Sequence, residues 1–380
     1  MRPRSAGTIA TLMACLLVAV PVASAAAPRD AALTKSISRA LARAKAPGAI
    51  VGVWQPGQRA YVRTFGVRNT QTRRPMRRDL YMRIGSETKT FTVTALLQLV
   101  DQGKVRLDDP IAKYVPGVTQ GDQITLRQLA EMRSGLINYT LVPAFDTELV
   151  ADPHRSWMPQ QLLDLAIHEP LQFQPGQGFS YSNTNTVLLG LVVEQVSGQP
   201  IGEYIRRHIT APLGMTHTSF PLTPALPSPH ADGYADDTPD GSVANATNWN
   251  PTWTWAAGQM VSTLRDLRIW APRLATGRGL LSRALQRERA ASVAGPGDPI
   301  TYGLGLFNVH GWIGHNGSLP GYQTLALYRP QTRTTIVALI NTDIELAAGV
   351  APSTVVGEAI TRVISPKNIY TLPAAPPSED

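Results

Sequence analysis

Apolar residues recur along this chain with two periods, and where each period dominates outlines the fold. Leu33, Ile37, Ala40 and Leu41 fall three or four apart within Asp30–Ala44, the spacing of one helix face. Ala46-Pro47-Gly48 stops that helix. Ala49–Trp54 and Ala60–Val67 are apolar runs joined by Gln55-Pro56-Gly57-Gln58, a strand–turn–strand pattern. Ser86–Gln102 returns to helical spacing through Phe91, Ala95, Leu96 and Leu99, and Gly103 ends it. Further helical segments fall at Leu126–Met132, Pro159–Ala166, Thr186–Val196 and Ile201–Ile209, punctuated by proline and glycine. Trp312–His315, Gln323–Tyr328 and Thr334–Asn341 are alternating or β-branched and predict strands. Val350–Val363 predicts a last helix, Pro366 stops it, and residues 366–380 form a loose tail.

The strand-forming ends flank a helical middle. This pattern predicts a mixed α/β (α+β) domain over residues 30–365. Its antiparallel sheet comes from about 30–80 and 300–365, is flanked by the terminal helices, and is joined to a helical region from about 85 to 300.

The first residues change the picture. Arg2 and Arg4 precede an uncharged stretch from Thr8 to Val22, and Ala23-Ser24-Ala25 follows as a small-residue cleavage box. That is the layout of a secretory signal peptide over residues 1–25, so the protein is expected to be secreted or held in the cell envelope or periplasm. The stretch is short for a membrane span and contains Pro21, and no later segment is apolar enough, so no transmembrane span is expected. The single cysteine, Cys15, lies inside this peptide. A lipoprotein anchored through Cys15 fits less well, because the apolar run continues through Leu16–Val22. Cleavage leaves no thiol, hence no disulfide and no cysteine nucleophile.

Charge excludes more than it suggests. The formal net charge is +8, but the cations are scattered, with Arg73-Arg74 and Arg77-Arg78 the densest patch. Without an RNA-binding signature or zinc-finger spacing, a nucleic-acid partner is not expected. There is no H-E-x-x-H, no G-x-S-x-G, and no Walker or Rossmann loop, so no metal and no cofactor is expected.

Three short elements carry chemistry. Ser86-Glu87-Thr88-Lys89 is an S-x-x-K at a helix start, where positions three apart share a face. A serine hydroxyl needs a base, and a desolvated lysine can act near neutral pH. The competing reading makes Ser86 a helix cap and leaves Lys89 in water. Tyr181-Ser182-Asn183 follows a turn-rich approach to another helix; the tyrosine suits a general base, and the asparagine amide suits both a substrate carbonyl and the lysine. The competing reading is an ordinary loop with Asn183 as cap. His315-Asn316-Gly317-Ser318 closes a predicted strand. There Gly317 permits close approach, the Ser318 N–H can pair with that of Ser86 as an oxyanion hole, and His315 can supply Tyr181 with a cationic or hydrogen-bonding partner.

In this order the three elements resemble the serine β-lactamase-like family, and most closely the exported D-alanyl-D-alanine carboxypeptidases with their class C β-lactamase and esterase relatives. Supporting stretches are Arg83-Ile84-Gly85, Arg133-Ser134-Gly135-Leu136 and Tyr302-Gly303-Leu304-Gly305-Leu306. The resemblance implies Ser86 as nucleophile, Lys89 as its partner, Tyr181 as general base and His315 as the companion histidine. It implies substrate-binding roles for Asn183, Asn316, Gly317 and Ser318, and makes Trp253 similar to a tryptophan that walls the peptidase site. An exported, penicillin-interactive peptidase of the cell envelope is implied, acting on a peptidoglycan peptide or small acylated substrate, with β-lactams as acylating inhibitors. An esterase or β-lactamase of the same fold is the alternative, and a non-catalytic wall-binding protein fits least. Two positions depart from the peptidase pattern. Asn316 stands for a threonine and Phe307 for an arginine, the pair that holds the peptide's terminal carboxylate in the family. A phenyl ring cannot replace an arginine fork there.

Overall fold

A computed structural model describes residues 28–294, 298–347 and 349–373. The signal-peptide segment, Cys15 and the end of the tail from residue 374 lie outside the described residues. In chain order the elements are α1 (Pro28–Arg43), β1 (Gly48–Trp54), β2 (Tyr61–Gly66), β3 (Met82–Arg83), α2 (Thr88–Asp101), α3 (Leu126–Ala130), α4 (Pro143–Ala151), α5 (Pro159–Asp164), α6 (Asn183–Ser197) and α7 (Ile201–Ile205). They continue with β4 (Tyr234–Ala235), β5 (Ala244–Asn245), β6 (Val261–Ser262), α8 (Leu264–Thr276), α9 (Arg283–Ala291), β7 (Ile300–Gly303), β8 (Leu306–Val309), β9 (Trp312–Leu319), β10 (Tyr322–Arg329), β11 (Thr334–Ile340) and α10 (Pro352–Ile364).

One seven-stranded antiparallel sheet runs β2-β1-β11-β10-β9-β8-β7, so strands from the two ends of the chain meet where β1 pairs with β11. Side chains of a strand alternate between faces. On one face Ala49, Val51, Val53, Ile336, Ala338 and Ile340 pack against Leu33 and Ile37 of α1 and Val356 and Ile360 of α10. On the other, Ile50, Val337 and Leu339 join a larger core with α2, α6 and α8. We call these the outer and inner faces. The fold expected from the periodicities is the one observed.

The middle of the chain departs from a purely helical reading. Two short two-stranded ladders, β3 with β6 and β4 with β5, lie within it. The β3–β6 pair matters for function, because it leads directly into Ser86. Arg83 is buried, and its guanidinium donates to the carbonyls of Pro224, Thr247 and Trp249. Ile84 N–H donates to Met260 O, and Met260 N–H to Thr88 Oγ1. The chain before Ser86 is thus fixed on both sides.

Candidate active site

Ser86 lies on a single 3-10 turn, Gly85–Glu87, immediately before α2. Its hydroxyl makes no cap bond to the helix backbone. Instead it accepts from Lys89 Nζ at 3.0 Å and pairs with the Tyr181 phenol. Lys89 is fully buried, and its ammonium also donates to Asn183 Oδ1 at 2.6 Å and Ala257 O at 3.0 Å. It has no carboxylate partner, so burial pushes its pKa down to about 7. Both competing readings fail here: Ser86 is not a cap, and Asn183 directs its carbonyl at the lysine rather than at the start of α6.

Tyr181 brings its ring beneath this group, with Lys89 Nζ 4.9 Å from the ring centroid. Burial is the largest effect on its phenol and raises the pKa, outweighing the Ser86 hydrogen bond. A standing phenolate is therefore disfavoured. Asn183 is held from behind: its N–H donates to Asn138 Oδ1, and its Nδ2 lies 3.4 Å from Thr140 Oγ1.

β9 is longer than the sequence pattern predicts. His315-Asn316-Gly317-Ser318 lies within it, paired to β10, while β8 pairs only as far as Gly314. The edge from His315 onward is therefore open beside Ser86. Gly85 adopts φ +51°, and a Cβ there would stand 2.6 Å from Ser318 N. A Cβ on Gly317 would stand 1.9 Å from Ile84 O and 3.1 Å from Ser86 N. Only glycines permit this approach, which brings the backbone around Ser86 against that around Ser318.

Register fixes which way the side chains of this strand point. Asn316 opposes Leu325 and Ser318 opposes Gln323, so both side chains point to the outer face. Ser318 Oγ accepts from Gln323 Nε2, whose Oε1 accepts from Ser353 N–H at the start of α10. What Ser318 presents to Ser86 is its backbone. His315 faces inward but is not a cation: burial is the largest cause that holds its pKa down at about 3. Its Nδ1 donates to Asn316 O, and its Nε2 has no hydrogen-bond partner. The ring stands 6.1 Å from that of Tyr181. Trp253 stands behind the site, with its ring 5.5 Å from Phe145 and its carbonyl accepting the Tyr139 hydroxyl.

Some side chains here escape the sequence reading. Glu87, next to Ser86, is fully buried, and burial is the largest cause that raises its pKa well above the ordinary value. Buried Arg289 donates to Thr94 Oγ1 and Leu304 O. Thr140 and Asn138 occur in the sequence only as an Asn-x-Thr triplet, and Tyr302 only as the first residue of a glycine-rich stretch. No local pattern marks any of them as neighbours of Ser86. Size is no guide either: a cavity of about 970 Å³ is lined by Arg43, Tyr234, Val243, Thr342 and Leu346, with none of these groups in it.

A desolvated lysine on a serine at the head of a helix, beside an open strand edge, is an arrangement suited to acyl transfer. A family model described as Beta-lactamase matches residues 33–359. The chain belongs to the beta-lactamase family. Among solved structures it is similar to a D-stereospecific amidohydrolase from Streptomyces sp., at 31% identity and TM-score 0.78, over 89% of this chain and 99% of that one. It is similar also to the D-amino acid amidase of Ochrobactrum anthropi SV3, at 29% identity and TM-score 0.77, over 89% and 98%. Among curated proteins it is similar to protein flp of Staphylococcus aureus (strain N315), 27% identical over 82% of this chain and 63% of that protein. It resembles the penicillin-binding protein PbpX of Bacillus subtilis (strain 168), 26% identical over 68% of this chain and 61% of that protein. The chain thus spans less than two thirds of the length of these curated relatives. Among the described residues no helix is long and apolar enough to cross a membrane.

Proposed function

We propose that this family member hydrolyses amides and esters of D-amino acids through an acyl-enzyme on Ser86. The observation that carries the reading is Lys89: a fully buried amine 3.0 Å from Ser86 Oγ, with its pKa at about 7 and no acidic partner. About half of it is free amine at neutral pH, so it can accept the serine proton. In acylation Ser86 Oγ bonds to the substrate carbonyl carbon as its proton passes to Lys89. The oxyanion rests on the N–H groups of Ser86 and Ser318. Tyr181, held as a phenol by burial, gives its proton to the leaving nitrogen or oxygen as that bond breaks, and the new Lys89 ammonium steadies the phenolate. In deacylation water gives a proton to Tyr181, its oxygen bonds to the acyl carbon, and Ser86 regains its proton from Lys89. Protons balance over the cycle. Asn183 holds the substrate's amide side. Tyr181 is thus chiefly an acid toward the leaving group, and Lys89 the first base.

The substrate class rests on two supports. The similar solved structures are named for D-stereospecific and D-amino acid amide hydrolysis. Phe307 offers no cation for a terminal carboxylate, which disfavours D-alanyl-D-alanine carboxypeptidase action. PbpX similarity favours a second reading, a penicillin-interactive peptidase of the cell envelope acylated by β-lactams. The layout of residues 1–25 supports export in either case.

The deciding experiment offers purified protein D- and L-amino acid amides, p-nitrophenyl esters and a fluorescent penicillin, alongside Ser86→Ala. D-selective amide turnover, absent in Ser86→Ala, is the expected result. Stable penicillin labelling with release of terminal D-alanine would shift the assignment to the peptidase. No adduct and no turnover in any class would overturn the hydrolase mechanism.

A further inference from the structure

Resting on the acyl-enzyme reading above, we infer that Phe307, Tyr302 and Phe179 form the leaving-group subsite, and that it selects an uncharged aromatic leaving group. The placement follows from proton transfer. Tyr181 must reach the leaving atom within hydrogen-bond distance, so the leaving group starts beside the Tyr181 phenol. The surfaces around that phenol are rings. Tyr302 stands edge-on to Tyr181 at 5.9 Å between centroids, and Phe307 lies parallel to it at 6.4 Å. Tyr302 and Phe307 meet edge to face at 4.7 Å, with His315 4.8 Å from Phe307. Phe179 continues the wall outward, 6.0 Å from Tyr302 and 52% exposed.

Composition of the wall fixes the chemistry. Phe179 and Phe307 carry no polar group, the Tyr302 hydroxyl is buried away from solvent, and His315 is neutral. A carboxylate placed here would lose water and meet no cation among these rings. An aromatic leaving group would bury area and meet edges and faces at ordinary ring–ring spacing. Phe179 leaves about half of its surface in water at the outer end of this wall, where a departing ring could cover it. The wall opens on the side of β9 left unpaired by β8, so a substrate along that edge would direct its departing end toward it.

The test uses esters of one acyl group, N-acetyl-D-alanine, with three alcohols: ethanol, benzyl alcohol and 4-carboxybenzyl alcohol. Only kcat/KM is compared, because it reports steps through acylation and therefore includes the leaving group. The wall predicts that benzyl exceeds ethyl by roughly 10- to 100-fold, the range one apolar contact surface supplies. It predicts that 4-carboxybenzyl falls at least about 10-fold below benzyl. Phe179→Ala, a surface change, should cut the benzyl advantage several-fold, and Phe307→Arg should reverse the carboxylate discrimination. Labelling of Ser86 by a fluorophosphonate is measured on every variant, since it reports a folded site without any leaving-group recognition. Equal kcat/KM for the three esters, with labelling intact, overturns the subsite while leaving the acyl-enzyme standing. Loss of labelling in wild type overturns both.

Discussion

The two faces of the sheet bury different kinds of side chain and do different work. The outer face, under α1 and α10, is closed by Leu33, Ile37, Val51, Val53, Ile336 and Ile360, all apolar. The inner face buries Glu87, Lys89, Arg289 and His315 as well. None of these four is in a salt bridge among the described residues. Burial is the leading cause of each shift: Lys89 falls to about 7, Arg289 to about 9, His315 to about 3, and Glu87 rises. Isolated buried charges are costly, so a fold retains such groups only where other structure holds them. Here β3, the Gly85 turn and the glycines of β9 hold them. Reactivity on the inner face is thus produced by desolvation, with little contribution from ion pairing. The outer face contributes chiefly stability, although Phe307 of the leaving-group wall also packs against it.

The largest expected effect separates the faces most clearly. Ser86→Ala should lower kcat by roughly 10⁶-fold, the scale for removing a serine nucleophile, with the thermal midpoint unchanged. Retention of more than a few per cent activity would place the nucleophile elsewhere. Lys89→Met should cost on the order of 10³-fold in acylation rate, the scale of a general base, with far-UV circular dichroism preserved. Gly85→Ala should cost about 10²- to 10³-fold by displacing one oxyanion donor, because its Cβ would meet Ser318 N at 2.6 Å in a left-handed backbone. Ile360→Ala is the counterpart on the outer face: about 2–4 kcal/mol of stability lost in urea unfolding, with kcat unaltered in the folded fraction. A fall in kcat there would mean that the outer face reaches the site.

The outer face was legible in the sequence because periodicity reports burial of apolar side chains. Leu33, Ile37, Ala40 and Leu41 mark one face of α1, and the β-branched run of Thr334–Ile340 marks a strand buried on both sides. Much of the inner face was not. β9 was underestimated because His315-Asn316-Gly317-Ser318 has no β-branched residue; pairing with β10 holds it extended, and its glycine serves close approach to the Ser86 turn. Short motifs located Ser86, Lys89 and Asn183, since a polar group at fixed spacing on a helix start has few alternatives. Motifs could not tell which groups would be charged. His315 looks cationic from its residue type and becomes neutral through burial, which is a property of the packed molecule. Tyr302 reaches Tyr181 from a distant segment, so no spacing reveals it.

The central claim is that burial makes Lys89 a base at neutral pH. It is tested most directly by the pH dependence of the single-turnover acylation rate of Ser86. A lysine whose folded pKa lies at about 7 must lose its proton to act, so the rate should rise from pH 5 and reach half its plateau near pH 7. The plateau should hold to pH 9, and the step should vanish in Lys89→Met. A rate already flat from pH 5 to 9, or a step that persists unchanged in Lys89→Met, would contradict the account.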